Sequence, residues 1–200
     1  VSRAPGSGER LTRSFFDRDP VAVARDLIGC WLLAAGVGGR IVETEAYAAC
    51  EPACHAYVGV TDRTRVLFGP PGHAYVYLSY GVHQLFNVVT APVGDGAAVL
   101  IRALEPLAGL ERMRSRRGGR SDRELCSGPG RLAQALGIGP RLNGADLATG
   151  DVALHPSPNG RDGCEPVAGP RVGISKATDL PWRFCEPDSA WLSAPASAGG

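Results

Sequence analysis

With 200 residues, 44% of them hydrophobic and 20% charged, the chain has the length and composition of one globular domain able to bury its own core. It holds no unbroken apolar run near the ~18 residues that a membrane-spanning helix needs, which argues for a soluble protein and no membrane association. A formal net charge of +1 excludes a whole-chain field strong enough to announce a polyanion partner.

The first residues, VSRAPGSGERLTR, lack the apolar segment of a secretory signal and read as a frayed start. In DPVAVARDLIGC, Asp19 is placed as an N-cap and Pro20 at the first helical position. Val23, Ala24, Leu27 and Ile28 lie on one side, and Gly29 is the stop, which predicts a short amphipathic helix. GRIVETEAY reads as a strand whose alternation puts Ile41, Glu43, Glu45 and Tyr47 on one face and Val42, Thr44 and Ala46 on the other. AYVYLSY is the next strand, with Tyr75, Tyr77 and Ser79 on one face, and Gly81 then allows a turn. LFNVV and AAVLIRALEP follow as strands joined by short connections, including GDG, that suit antiparallel neighbours. Helices are predicted over residues 107–116 and 129–136, and short strands over 152–154, 171–174 and 182–185. Without an internal repeat or a linker, the pattern is that of a single α+β domain.

Cys30, Cys50, Cys54, Cys126, Cys164 and Cys185 are irregularly spaced in a chain too long to need stapling, and read as free thiols of a reducing cytoplasm. CEPACH groups Cys50, Cys54 and His55, but no CxxC pair completes a tetrahedral site, so no metal is expected. Lys176 is the only lysine, and part of the arginine charge is concentrated in ERMRSRRGGRSDR, residues 111–123. That stretch is either a solvated helix end with a loose loop or a phosphate-contacting loop, since guanidinium forks match phosphate oxygens.

Glu45 and Arg102 fall on apolar strands. Buried together they form a structural ion pair, or they hold a water that Glu45 activates as a general base. Tyr47, Tyr77 and His55 either pack the core or wall a flat pocket for a planar ring. Tyr80 ends its strand beside Gly81, where an exposed aromatic buries little in its own chain and suits insertion into stacked bases. Asn87 is a polar selector for such a pocket or an ordinary turn residue. In LCSGPGRLAQALGI a glycine-rich turn opens a helix whose amides can take a phosphate, making Gly128 and Arg131 candidates for DNA-backbone contact.

The segments RSFFDRDPVAVARDLIG, GRIVETEAY, ACHAYVG, VLFGPPGHAYVYLSYGVH, FNVV, GDGAAVLIRALEP, ELCSGPGRLAQALGI, NGADL and RVGISKATDLPWRF, taken in order, resemble the alkyladenine (3-methyladenine, methylpurine) DNA glycosylases across about residues 11–193. The resemblance implies a curved, mostly antiparallel sheet with flanking helices and a protruding β-hairpin, between a flexible start (1–10) and a flexible tail (194–200). It implies a monomer without metal or cofactor, in the bacterial cytoplasm and at the nucleoid through DNA, whose partner is double-stranded DNA containing a damaged purine. Hypoxanthine, ethenoadenine, 3-methyladenine and 7-methylguanine are the implied class of lesions.

By the same resemblance Glu45 is the general base, and Arg102 and the backbone carbonyl of Val172 hold the water. Tyr47, His55 and Tyr77 surround the flipped base, the backbone around Ala53 and His55 reads its edge, Tyr80 intercalates, and Asn87 disfavours guanine. Cationic alkylpurines should stack well on electron-rich rings. A single lysine argues against a Schiff-base lyase step, hence a monofunctional enzyme. Cys54 departs from the small residue usual before the pocket histidine, the arginine stretch is shorter than in some relatives, and HQLFN lacks the bulkier aromatic often found after the histidine of the hairpin. Two alternatives remain open: a non-catalytic binder of damaged DNA, and a different hydrolase for another planar substrate.

Overall fold

Helix α2 (Pro20–Asp26) realises its local grammar in the computed structural model, which describes residues 8–157 and 165–196. Asp19 Oδ1 accepts hydrogen bonds from the Val21 and Ala22 amides at 2.9 and 3.0 Å, a cap whose loss costs about 1 kcal/mol. Val23 and Ala24 are buried against β2 (Val37–Ala48), and Thr44 Oγ donates to the Ala24 carbonyl at 2.8 Å. Thr44 thereby faces the helix, which leaves Glu43 and Glu45 for the other side of the strand.

β2 and β5 (Ala97–Ala108) form the centre of a curved sheet with the order β3, β4, β5, β2, β1, β6, in which every pair is antiparallel. The other strands are β1 (Trp31–Ala34), β3 (Ala74–Ser79), β4 (His83–Thr90) and β6 (Val152–His155). A further strand, β8 (Arg183–Cys185), pairs with β7 (Val167–Gly169) and with Glu43, Thr44 and Glu45 of β2. Those three residues are therefore laddered on both sides, which fixes their backbone. α1 (Arg13–Phe16), α3 (Leu110–Arg116), α4 (Asp122–Leu125) and α5 (Pro129–Leu136) complete the α+β domain. Leu132, Ala133 and Leu136 of α5 join Phe16, Leu27, Leu32, Ile101 and Leu104 in the main core, where each large side chain contributes about 1.5–3 kcal/mol by burial. A smaller cluster of Cys54, Ala56, Leu67, Tyr75, Val89 and Ala98 carries Tyr47 and Tyr77 against it.

Several sequence expectations are corrected. Ile41 does not share the face of Glu43. The β2–β5 register slips between Ile41↔Leu104 and Thr44↔Ile101, and Ile41 packs in the main core with Leu104, because a bulge resets the alternation. The helix expected from residue 107 begins at Leu110, since β5 continues to Ala108 and Gly109 turns the chain at φ 70°. Residues 171–174 form a bend with no ladder, and the tail strand lies at Val167–Gly169 instead. β1 has no counterpart among the expected strands. Arg10 donates to the Leu147 and Gly150 carbonyls, and Ala194 and Pro195 accept from Arg183, so these residues are tied to the domain. Of the expected flexible ends, 1–7 and 197–200 lie outside the described residues, as does Cys164. The five described cysteines are free, and among the described residues no helix is long and apolar enough to cross a membrane.

Candidate active site

The outward alternation of β2 past the bulge brings Glu43, Glu45 and Tyr47 to one side, facing Arg102 of β5. Glu45 is fully buried, and its carboxylate is held by three donors from three segments. Oε1 accepts the Val172 amide at 2.7 Å, and Oε2 accepts the Tyr47 hydroxyl at 2.8 Å and Arg102 Nη1 at 3.0 Å. The other edge of Arg102 is occupied as well: Nε donates to Glu43 Oε1 at 2.9 Å and Nη2 to Ser193 Oγ at 3.1 Å. Glu43 in turn accepts Arg183 Nε at 2.8 Å, the Ser193 hydroxyl at 2.8 Å and the Ser193 amide at 2.6 Å. Two buried carboxylates thus face two buried guanidiniums, the balanced arrangement that offsets desolvation.

The charge states follow from these contacts. Burial pushes the Glu43 carboxyl upward, but Arg102, the Ser193 amide and Arg183 outweigh it and hold the pKa below the ordinary value. Burial works against the Arg102 charge, yet Glu45 and Glu43 raise its pKa overall. Burial first and the Glu45 carboxylate second push the Tyr47 hydroxyl far up, so it remains a donor to Glu45.

A cavity of about 940 Å³ opens in front of this array, with Tyr47, Arg102 and Val172 on one wall. Glu45 lies directly behind those three. Ala53, Cys54, His55, Tyr75, Tyr77 and Asn87 form another part of its lining. Arg171 backs the Tyr47 ring, its guanidinium carbon 4.7 Å from the ring centre, and pairs with Glu51 at 2.7 and 3.0 Å. Glu51 also takes the Ala53 amide at 2.8 Å. His55 Nδ1 lies 3.0 Å from the Tyr75 hydroxyl, and its ring meets Tyr77 edge-on with centres 4.5 Å apart. Burial, then Arg63, lowers the His55 pKa, favouring the neutral imidazole. Burial, then Tyr75, pushes Tyr77 up to about 12. Asn87 is buried and donates through Nδ2 to the Tyr75 carbonyl at 3.1 Å, which fixes its amide and leaves Oδ1 as an acceptor. Cys54 is a buried wall residue whose thiol burial pushes up to about 11. Among the described residues no three His, Cys, Asp or Glu side chains are grouped to hold a metal.

The cavity runs on to the β3–β4 turn and to α5. Tyr80 stands at the turn, 90% exposed. Tyr80 and Gly81 have φ of 49° and 70°, and the Val82 amide donates to the Ser79 carbonyl at 3.1 Å. Such a turn favours Asn-Gly, so a tyrosine at its first central position carries local strain of order 1–3 kcal/mol. At the other end, a side chain on Gly130 would sit 2.9 Å from His83, so only glycine lets the first turn of α5 approach β4 this closely. Gly128 and Arg131 line that end, and Arg131 Nη1 donates to Ser127 Oγ at 3.1 Å. The arginine stretch divides. Arg114 pairs with Asp122 and Glu111, and Arg116 donates to the Ala135 carbonyl, whereas Arg117 and Arg120 reach the cavity wall.

All eleven candidate positions read from the sequence meet along this one cavity, Glu45 just behind its wall. For Val172 the observed contact is made by the amide rather than the carbonyl. Sequence reasoning missed Glu43, Arg183 and Ser193 around Arg102, the contact of Tyr75 with His55, and Arg63. Strand parity already placed Tyr75 beside Tyr77; for Ser193 no local signal exists.

A profile of the Methylpurine-DNA glycosylase (MPG) family matches residues 14–190. The chain is 55% identical to a protein of Rhodopseudomonas palustris over 96% of its own length and 91% of the relative's. It is 54% identical to one of Nitrosospira multiformis (90% and 92%) and 48% identical to one of Carboxydothermus hydrogenoformans (92% and 98%). All three carry the name "Putative 3-methyladenine DNA glycosylase".

Proposed function

The chain belongs to the methylpurine-DNA glycosylase family, and from that premise we propose that Glu45 activates the water that cuts a flipped, damaged purine from duplex DNA. It is a DNA glycosylase for alkylated purines. The observation that carries the mechanism is the Glu45 carboxylate, buried and oriented by Val172, Tyr47 and Arg102 directly behind an aromatic cavity.

The target nucleotide leaves the stack and enters between Tyr47, His55 and Tyr77, while Tyr80 fills the gap it vacates. Flipping costs a few kcal/mol, less for a damaged or mispaired base, so selection begins before the pocket is reached. Water gives a proton to Glu45, its oxygen bonds to the sugar C1′, and the C1′–N bond breaks with its electron pair passing to the base. An alkylated cationic purine leaves neutral; hypoxanthine and ethenoadenine need a proton on leaving. Arg102 and the Val172 carbonyl hold the water, and the Val172 amide keeps Glu45 aimed. The Asn87 amide crowds the exocyclic amine of guanine. Gly128 and Arg131, with Arg117 and Arg120, take the DNA backbone.

Lys176, the only lysine, is exposed and lies off the cavity wall, which supports a monofunctional enzyme that leaves an abasic site. Bacterial relatives and free thiols at the five described cysteines suit the cytoplasm, where DNA brings the enzyme to the nucleoid. The test is a set of duplexes each bearing one hypoxanthine, ethenoadenine or 3-methyladenine, read by alkali cleavage. Release by the wild type and its loss in Glu45→Gln are expected. Salt-dependent binding without release of any lesion would assign a damaged-DNA binder instead.

A further inference from the structure

Arg63 is exposed, yet its guanidinium lies at the cavity wall with its central carbon 5.5 Å from the centre of the Tyr77 ring. Among the described residues no carboxylate pairs with it: neighbouring Asp62 faces Arg65 at 3.4 Å instead. Arg171 behind Tyr47 differs, because Glu51 neutralises it through two hydrogen bonds. The recognition wall therefore carries one uncompensated positive charge, close to the ring on which a flipped base rests.

We propose that Arg63 is a charge filter, a specificity residue that disfavours cationic alkylpurines and favours neutral damaged purines in the same pocket. This rests on the reading of Tyr77 as a base contact. A ring that already faces one cation has less negative potential to offer a second, and two like charges within one pocket repel directly. A neutral purine meets neither cost, and a carbonyl such as the O6 of hypoxanthine gains a donor. The lowered His55 pKa has the same sign, since Arg63 disfavours a positive charge on that ring too. The cation–π preference expected of electron-rich tyrosines is thus opposed at Tyr77.

The experiment measures single-turnover release from two duplexes of one sequence, bearing 7-methylguanine, a cation in DNA, or hypoxanthine, which is neutral. The enzymes are the wild type, Arg63→Gln and Arg63→Glu, and exposure of the side chain makes misfolding a small concern. The rate ratio of 7-methylguanine to hypoxanthine should rise roughly tenfold in Arg63→Gln and further in Arg63→Glu, a range set by partly screened charges at this separation. Release of both lesions with an unmoved ratio, whether the two rates stay constant or fall together as for a lost phosphate contact, overturns the filter alone. Release of neither lesion by the wild type overturns the reading of the site and the filter with it.

Discussion

On one side of the cavity Glu43, Glu45, Arg102 and Arg183 commit their polar atoms to one another and to Ser193, Ala194, Pro195, Val172 and Tyr47, all within 2.6–3.1 Å. On the other side His55, Tyr75 and Tyr77 share a single ring-to-hydroxyl contact of 3.0 Å, and the strand ends at an exposed Tyr80. The first wall is preorganised for charge that develops at a fixed point, where reorientation during reaction would be costly. The second, on the proposed reading, would take planar rings of differing outline, for which a fixed lattice of hydrogen bonds would be a hindrance. In the proposed scheme chemistry rests on β2 and β5, and recognition on β3 and the segment around His55, with β4 between the two groups of the one sheet.

The strongest break in that comparison is Glu45→Gln. The amide keeps the shape and Arg102 keeps Glu43, but the proton acceptor is lost, so release of hypoxanthine should fall by about 10²–10⁴ while lesion binding persists. A single-turnover rate within a few-fold of wild type would make the ionic wall purely structural. Glu43→Gln should act the other way round. It removes the carboxylate shared by two buried guanidiniums, and breaking a buried pair of this kind costs about 3–5 kcal/mol, to be read as a lower urea midpoint. If Glu43→Gln is no less stable than Glu45→Gln, the ranking of the two carboxylates is wrong. Tyr80→Ala sharpens the contrast from the recognition side: stability should stay within about 0.5 kcal/mol, while retention on lesion DNA at constant salt drops roughly tenfold. Equal retention would remove the wedge.

What the sequence made legible was local or adjacent. Asp19 and Pro20 announce α2 because capping acts within three residues. Glu45 and Arg102 invite pairing because both are charges on apolar strands, and sheet geometry did the rest. Glu43 beside Ser193 and Arg183 was not legible, since those partners lie 150 and 140 residues away and no periodicity links them. Alternation failed at Ile41 because one bulge reverses every inference drawn across it. The arginine stretch looked uniform in sequence, yet helix ends and neighbouring acids fasten Arg114 and Arg116, whereas Arg117, itself bonded to Gln134 and the Glu124 carbonyl, and Arg120 line the cavity.

The smallest expected effect concerns pH and tests whether the recognition wall is electrostatically tuned at all. His55 is half-buried, and burial followed by Arg63 lowers its pKa below the ordinary value of about 6.5. The unfolded chain then binds the proton more readily than the fold. The stabilisation is complete above about pH 6.5 and is lost as pH falls through that value toward the lowered one. The other groups facing the imidazole do not titrate there, because Tyr75, Tyr77 and Cys54 are all pushed upward, the last two to about 12 and about 11. Urea unfolding from pH 7.5 to 5 should therefore show a decline in wild type that is shallower in His55→Gln, the difference isolating this residue from the other histidines. Arg63→Gln should fall between the two, since it removes the nearby charge but not the burial. If all three slopes coincide, the imidazole is as easily protonated in the fold as in water, and the contrast between the two groups of residues narrows to shape alone.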